Sequence, residues 1–294
     1  MLFRSSVYTA NNAGSGSSFT AGFPPDMVLS NDRTGSSTAN GSRLVGPSYY
    51  LETNTTGAET SRANAFYWDN ATGTFINDIQ SFSWVFRRAP GFFDEVCYTG
   101  DGTSNRAIPH NLGVAPELFI VKQRASSTNT DWNVYSAPTG NTGRIKLNTT
   151  GAKTTDTTIW ASTTPTASNF YVSTTSFETN YSGYTYVAYL FASCPGVSKV
   201  GSYTGTGATQ TINCGFTGGS RLVLIKRTDS TGNWVIWDTS RGMVAGTDPR
   251  LELNTTNAET NANWVYTTTG GFQIVTSDAN VNASGGSYIY FSVA

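Results

Sequence analysis

Short apolar runs separated by polar turns fill the chain, and their spacing is that of strands. Residues 118–121 and 222–225 are continuous apolar runs, which is typical of strands buried on both faces. Residues 184–192 and 288–294 instead alternate along the chain. One set of their side chains is therefore expected to pack in a core, while the other faces solvent or a partner.

Each continuous apolar run is followed by a polar turn and a second strand-like segment, at residues 132–135 and 234–237. This arrangement predicts hairpins, and six to eight strands in about 100 residues predict an antiparallel sandwich. Helical periodicity is hard to find. The sequence predicts only short helical turns at residues 57–62 and 257–263, where a preceding Asn or Thr could cap a first turn.

One phrase, Asn-Thr-Thr followed by a small residue or Asn and then Ala, occurs three times. It begins at Asn54, Asn148 and Asn254, so the copies are 94 and 106 residues apart. Such a period is far longer than that of a solenoid repeat, and each unit is expected to have its own core. The opening tyrosines Tyr8, Tyr98 and Tyr203 keep a similar spacing.

The sequence thus predicts an all-β protein of three tandem antiparallel β-sandwich-like modules with short helical turns. The modules are residues 1–94, which are divergent, 95–198 and 199–294. In the first module the strand expected around residues 43–45 lacks the tryptophan of the other two. The junctions are short, so the modules should pack closely, as a stiff rod or a compact cluster.

Composition narrows the classes of function. Charged residues make up 13% of the chain and the net charge is −1, so there is no electrostatic case for nucleic acid or an anionic membrane surface. No apolar stretch is long enough to insert into a membrane, and no apolar segment typical of a signal peptide follows Met1. Cys97, Cys194 and Cys214 occupy unmatched positions, which indicates free thiols and assembly in a reducing cytoplasm.

Enzymatic chemistry finds little support. His110 is the only histidine and lies in a turn-like segment, where a structural hydrogen bond is its expected role. No motif selects two acids for a glycosidase pair, and the candidate acids mostly lie in turns, where Asp caps the backbone: Asp101, Asp131, Asp156, Asp229 and Asp238. We therefore expect no enzymatic activity, no cofactor and no metal site.

The tryptophans are the best candidates for contacts with a glycan or a partner, because an aromatic ring can stack on a sugar face at little entropic cost. Two matching sets exist in the repeats: Trp68, Trp160 and Trp264, and Trp132 with Trp234. A tryptophan repeated in every copy can equally be a core residue, and the sequence leaves both interpretations open.

Three phrases carry a resemblance to a known family: residues 113–122, 222–234 and 282–290. Together they resemble a domain of unknown function repeated in virion proteins of tailed, mostly marine, bacteriophages. The resemblance covers most of residues 98–294 and is weaker before them. It implies a component exposed on the phage particle, and it supplies no catalytic residues.

The resemblance implies that the chain is a non-enzymatic virion structural protein of the tail fibre or receptor-binding type, located at the virion surface. Its expected partners are other virion proteins, further copies in a homo-oligomer (a trimer above all), and a host cell-surface glycan. A capsid decoration or other head–tail structural protein is the alternative. A polysaccharide-degrading tailspike is a remote one.

Overall fold

The computed structural model describes residues 2–7, 17–36, 38–63, 65–66, 68, 73–76, 81–125, 129–174 and 177–294. The opening Tyr8 of the first repeat lies outside the described residues. We number the strands in chain order and assign them to three units.

Unit 1 contains eight of the described strands. They are β1 Phe3–Val7, β2 Ser17–Thr20, β3 Met27–Asp32, β4 Thr38–Ser42, β5 Tyr49–Tyr50, β6 Thr60–Ser61, β7 Gly73–Ile76 and β8 Ser81–Phe86.

Unit 2 follows with the same number of strands and one 3₁₀ turn, Ala137–Thr139. Its strands are β9 Phe93–Thr99, β10 Arg106–Pro109, β11 Leu118–Ala125, β12 Asn133–Ser136, β13 Gly143–Lys146, β14 Thr154–Thr155, β15 Asn169–Val172 and β16 Thr185–Phe191.

Unit 3 has one additional strand. Its strands are β17 Ser198–Thr204, β18 Gln210–Asn213, β19 Leu222–Arg227, β20 Trp234–Asp238, β21 Asp248–Glu252, β22 Thr260–Ala262, β23 Val265–Thr268, β24 Gly271–Ile274 and β25 Ser287–Val293.

Every pairing between these strands is antiparallel, and the same strand order recurs in each unit. The large sheets have the orders β1-β8-β3-β4, β14-β13-β12-β11-β16-β9 and β17-β25-β19-β20-β21-β22. A small sheet, β2-β7, β10-β15 or β18-β24-β23, accompanies each large one. The predicted all-β, sandwich-like architecture is confirmed, and the predicted hairpins are β11–β12 and β19–β20.

The central strand of each large sheet is buried on both faces, as the apolar runs predict. In β11, Phe119 and Val121 pack in the core of unit 2, while Leu118 and Ile120 face the opposite side. The side chains of β19 alternate in the same way between the core of unit 3 and the opposite face of the sheet. Each large sheet therefore packs one face in the core of its own unit and the other face in a second core.

The second core is common to all three units. Leu29 of unit 1, Ile120 of unit 2 and Leu224 of unit 3 belong to one cluster of buried side chains, together with aromatic rings from each unit. Among these rings, the centroids of Phe191 and Phe291 are 4.9 Å apart. The faces that the alternating pattern assigned to solvent or a partner are thus covered by the other units of the same chain.

Backbone contacts show that the units close into a ring. The Glu59 N–H of unit 1 donates to Arg124 O of unit 2 at 2.6 Å, and the Lys153 N–H of unit 2 donates to Thr228 O of unit 3 at 2.8 Å. The Glu259 N–H of unit 3 completes the cycle by donating to a carbonyl of unit 1, Arg33 O, at 2.9 Å. Of the two arrangements predicted, the structure has the compact cluster.

The predicted helical turns at 57–62 and 257–263 are wrong, because β6 and β22 lie there. The hydroxyl Oγ1 of Thr55 accepts the N–H of Gly57, and that of Thr255 accepts the N–H of Asn257, so each phrase forms a short side-chain turn. The following backbone then bonds to the neighbouring unit, which favours an extended conformation over a helix.

The predicted module boundaries after residues 94 and 198 fall inside β9 and β17. The chain instead reverses at Pro90-Gly91 and Pro195-Gly196, where the Phe92 N–H donates to Ala89 O and the Val197 N–H to Cys194 O. Likewise the strand expected at 43–45 is a turn that follows β4. By register, Thr38 of β4 corresponds to Trp132 and Trp234.

All three cysteines are free thiols, as predicted. Burial raises the pKa of Cys97 to about 11 and also raises the pKa of Cys214, which keeps both thiols protonated near neutral pH. In the part of the chain that the structure describes, no helix has the length and apolar character needed to cross a membrane.

Candidate functional site

The five tryptophans predicted as contact candidates are mostly interior. Trp68 and Trp160 pack inside the cores of units 1 and 2, and the indole N–H of Trp160 donates to Gly143 O at 3.0 Å. Trp132 and Trp234 belong to the shared core. Protein atoms surround these four rings, so none presents a free face for stacking.

Trp264 is the exception, since its side chain is only half-buried. The guanidinium of Arg250 lies 3.8 Å from its ring centroid and covers one face. Such a cation–π contact stabilises the ring where it is. Of the five candidates, only Trp264 retains surface for a partner.

Trp132 and Trp234 join neighbouring units. The indole N–H of Trp132 donates to Glu52 O of unit 1 at 3.0 Å, and that of Trp234 donates to Lys146 O of unit 2 at 2.9 Å. At the corresponding contact between units 3 and 1, Asn31 donates its side-chain N–H to Glu252 O at 3.3 Å. At the interface between units 3 and 1, Thr38 stands at the position of the tryptophan, and the smaller Asn31 side chain supplies the hydrogen-bond donor.

The repeated Asn-Thr-Thr phrase lies at the interfaces between units. Thr56 O accepts the Lys122 ammonium at 2.9 Å, and Thr150 O accepts the Lys226 ammonium at 2.9 Å. Burial lowers the pKa of both lysines to about 8. The phrase therefore recurs because it forms a turn and because its carbonyls bind the next unit.

Units 3 and 1 are not consecutive in the chain, so no turn joins them at their interface. Charged side chains there take the place of the lysine contact found at the other two interfaces. Arg241, with its side chain fully buried, donates to Asp238 at 2.6 Å and to Glu259 at 3.2 Å. Its guanidinium lies 5.2 Å from the Trp84 ring centroid, and Trp84 Nε1–H donates to Asp238 at 3.1 Å. A buried ion pair with this many partners is well satisfied.

His110 has structural partners, as the sequence predicts. The N–H of Leu112 donates to His110 Nδ1 at 3.2 Å, and His110 Nε2 lies 3.2 Å from Thr166 O, so Nε2 carries the proton. Burial lowers the pKa of His110 and favours the neutral ring.

Each of the five acids that were catalytic candidates contacts a basic side chain. Asp101 and Asp156 also accept backbone N–H groups two residues on. The ion pairs are Asp101–Arg106, Asp131–Lys146, Asp156–Arg144, Asp229–Arg227 and Asp238–Arg241. The structure brings no two of these acids together as a pair free of such partners among the described residues.

Sequence reasoning missed Glu95, a buried acid at the interface between units 1 and 2. Ser42 Oγ–H donates to its Oε2 at 2.8 Å, and burial raises the pKa of Glu95 to about 8. Glu95 lies in β9, a strand with both buried and half-buried residues, so the sequence did not indicate that this acid is buried. Because Glu95 contacts a neighbouring unit, we infer that its role is to hold units 1 and 2 together.

A second missed feature is a group of aromatic side chains on the loop before β16, which we call the unit 2 aromatic cluster: Phe177, Tyr181 and Tyr184. The ring centroid of Tyr181 lies 4.1 Å from that of Phe177 and 5.2 Å from that of Tyr184. Tyr181 is 39% exposed, and the other two rings are half-buried. Unlike the four interior tryptophans, these rings reach solvent, and Tyr184 also packs against the unit 2 core.

Fold and contacts together define an all-β protein in which three β-sandwich units close around a shared core. Residues 67–294 match the model of the family described as a domain of unknown function, DUF7483. This match covers more than half of the chain, and the protein therefore belongs to that family. A comparison with curated proteins found no match.

Proposed function

We propose that this protein is a non-enzymatic structural component of a bacteriophage virion, of the tail fibre or receptor-binding type. It is exposed on the particle and acts by multivalent surface binding. The observation that carries the proposal is the closed ring, in which turns of all three units bind one another and a single core is shared. Such a scaffold fixes the units relative to one another and leaves loops of each unit for contacts outside, which suits recognition better than catalysis.

Two further observations support this proposal. The phrases at residues 113–122, 222–234 and 282–290 resemble those of phage virion proteins. The candidate catalytic acids form ion pairs with basic side chains. An adjacent basic side chain favours the ionised carboxylate, which disfavours the protonated form that a general acid requires.

The direct test locates the protein in an intact particle. We expect antibody-labelled or cryo-imaged virions to show it on projections from the tail, and the purified protein to bind host cells. Absence from the particle would overturn the proposal. A negative reducing-sugar assay on host polysaccharides would remove the tailspike alternative.

A capsid decoration protein is the second candidate, and the ring favours it in one respect. Three similar units around one core give a single chain an approximate threefold arrangement, which can match a threefold position of a virion lattice. Regular density over the head in the same imaging experiment would support this candidate and contradict the tail location.

A further inference from the structure

The loop that carries the unit 2 aromatic cluster has a counterpart in unit 3 with the same backbone contacts. The hydroxyl of Tyr186 donates to Phe177 O at 2.8 Å and accepts the N–H of Tyr181 at 2.9 Å. In unit 3 the hydroxyl of Tyr288 makes the equivalent bonds to residues 279 and 283, at 2.9 and 2.8 Å. The two loops are therefore built on one scaffold.

The aromatic rings are absent from the unit 3 loop. Ala279, Ala283 and Gly286 occupy the positions of the three aromatic residues of unit 2. Because the unit 3 loop forms the same contacts without them, the rings of unit 2 are not needed to fold the loop. Tyr184 packs partly against the unit 2 core, whereas Tyr181 is 39% exposed, and a role outside the loop would explain this exposed ring.

Phe177 also has a strained backbone. Its φ is 70°, in the left-handed region that bulky residues rarely occupy. Ala279, which would tolerate such a conformation better, is not among the residues with positive φ in the described part of the chain. The backbones of the two loops therefore differ at this position, and the unit 2 loop holds the Phe177 ring against Tyr181 at the cost of local strain.

We propose that the unit 2 aromatic cluster is a saccharide-binding site, in which one or two pyranose rings pack their apolar C–H faces on Tyr181 and its neighbours. This inference rests on the proposed function and deepens it, because it names the ligand class and the contact residues. The exposed Ser182 and Gly183 lie between Tyr181 and Tyr184 in the same loop and offer further polar groups. The tyrosine hydroxyls add donors and acceptors for sugar hydroxyl groups.

The size of the cluster favours a sugar over a protein partner. The three rings contact one another, with centroids within 5.7 Å, so the cluster is compact, on the scale of one or two sugar rings. A stable protein interface needs roughly 20–30 residues on each side, and most of that surface would have to come from elsewhere. Glu178 is the charged residue within 177–184, and its pairing with Arg144 at 2.9 Å is consistent with a neutral glycan.

The test compares the native protein with a triple variant, F177A/Y181A/Y184G, that carries the residues of unit 3. Native protein is titrated with methyl glycosides of glucose, galactose, mannose, rhamnose and N-acetylglucosamine, and with host polysaccharide, and NMR records the aromatic resonances. We expect shifts at the three rings and a loss of affinity of about tenfold or more in the triple variant. Y49A is the matched control, since Tyr49 is also 39% exposed but lies on unit 1.

Each outcome bears on a different conclusion. Saccharide binding that survives in the triple variant, or that disappears equally in Y49A, would overturn the site assignment and leave the proposed function standing. Native protein that binds host cells but none of the saccharides would overturn the ligand class. Native protein that binds neither would contradict both. The melting temperature of the triple variant should match that of the native protein, and if it does not, Y181A alone replaces it.

Discussion

At the scale of single residues, the interfaces between units contain polar groups whose ionisation or pairing controls stability. Glu95 is one, because its folded pKa of about 8 lies above the ordinary value of 4.5. Between these values the folded protein holds a proton that the unfolded chain releases, so the free energy of unfolding falls as pH rises. Above pH 8 this loss is complete.

The variant E95Q keeps the shape of the protonated side chain and cannot ionise. We expect its melting temperature, relative to the native protein, to rise by a few degrees between pH 4 and pH 9. At pH 4 the native acid is largely protonated in both states, so that comparison mainly measures any offset unrelated to ionisation. A difference between the two proteins that stays constant over this pH range would contradict the raised pKa.

Asn40 of unit 1 and Tyr189 of unit 2 form a second buried polar pair, with the Tyr189 hydroxyl donating to Asn40 Oδ1 at 2.5 Å. Y189F should cost about 1–3 kcal/mol, because the amide oxygen then lacks its partner. The double variant N40V/Y189F should recover most of this loss, since Val134 and Phe291 occupy the equivalent positions in the other units. Chemical denaturation of the four proteins measures the coupling, and additive losses would show that the pair is not coupled.

At the scale of elements, the Pro-Gly reversals define where one unit ends and the next begins. In the second of them, Gly196 has φ 72° and no atom within 4 Å of the place a Cβ would take, so an alanine there meets strain without a clash. G196A should therefore destabilise the protein by about 1–2 kcal/mol. G218A is the control, because Gly218 also has open space and no positive φ. Equal stability of both variants would contradict a left-handed turn.

The strands themselves could be predicted from the sequence, whereas their partners could not. Four consecutive apolar residues such as 222–225 require burial on both faces, and the structure provides it. The sequence pattern does not say whether the second face meets another chain or another unit of the same chain. The helical turns failed for a related reason, since the N–H of Glu59 bonds to Arg124 O, a contact distant in sequence.

The candidate site was predicted less well than the fold. Trp132 and Trp160 recur at buried positions, one just before β12 and one in the turn after β14, and repetition reflects what every unit needs for packing. A ligand contact is better sought at a position where equivalent loops of two units carry different side chains, as with Tyr181 in unit 2 and Ala283 in unit 3. That comparison needs the structure, because only the hydrogen bonds of Tyr186 and Tyr288 establish which loop residues correspond.

At the scale of the whole molecule, the threefold arrangement expected from an oligomer exists within one chain. The apolar faces of the three large sheets already cover one another in the shared core. A homotrimer, which remains a prediction from the sequence, would have to use a different surface. Light scattering at micromolar concentration tests this prediction, because a mass three times the 31.5 kDa of one chain would show that further surfaces associate, and a mass of 31.5 kDa would contradict the homotrimer.

The last prediction concerns closure of the ring between units 3 and 1, the one junction that no turn of the chain connects. Removing the Arg241 side chain leaves the buried Asp238 without its charged partner, so R241A should lose about 3–5 kcal/mol of stability. Because the shared core includes Leu29, Ile120 and Leu224, opening one interface exposes side chains of every unit. Calorimetry of R241A should therefore show one cooperative transition, shifted to lower temperature, with no separate melting of unit 1.

The control for that experiment is the double variant R241L/D238S, which removes both charges. Ser136 occupies the position of Asp238 in unit 2, so a serine is compatible with this place in the sheet. We expect the double variant to be more stable than R241A, since no buried charge is left unpaired. Two separated transitions in either variant would mean that the units fold independently, and the shared core would then contribute little to the cooperativity of the ring.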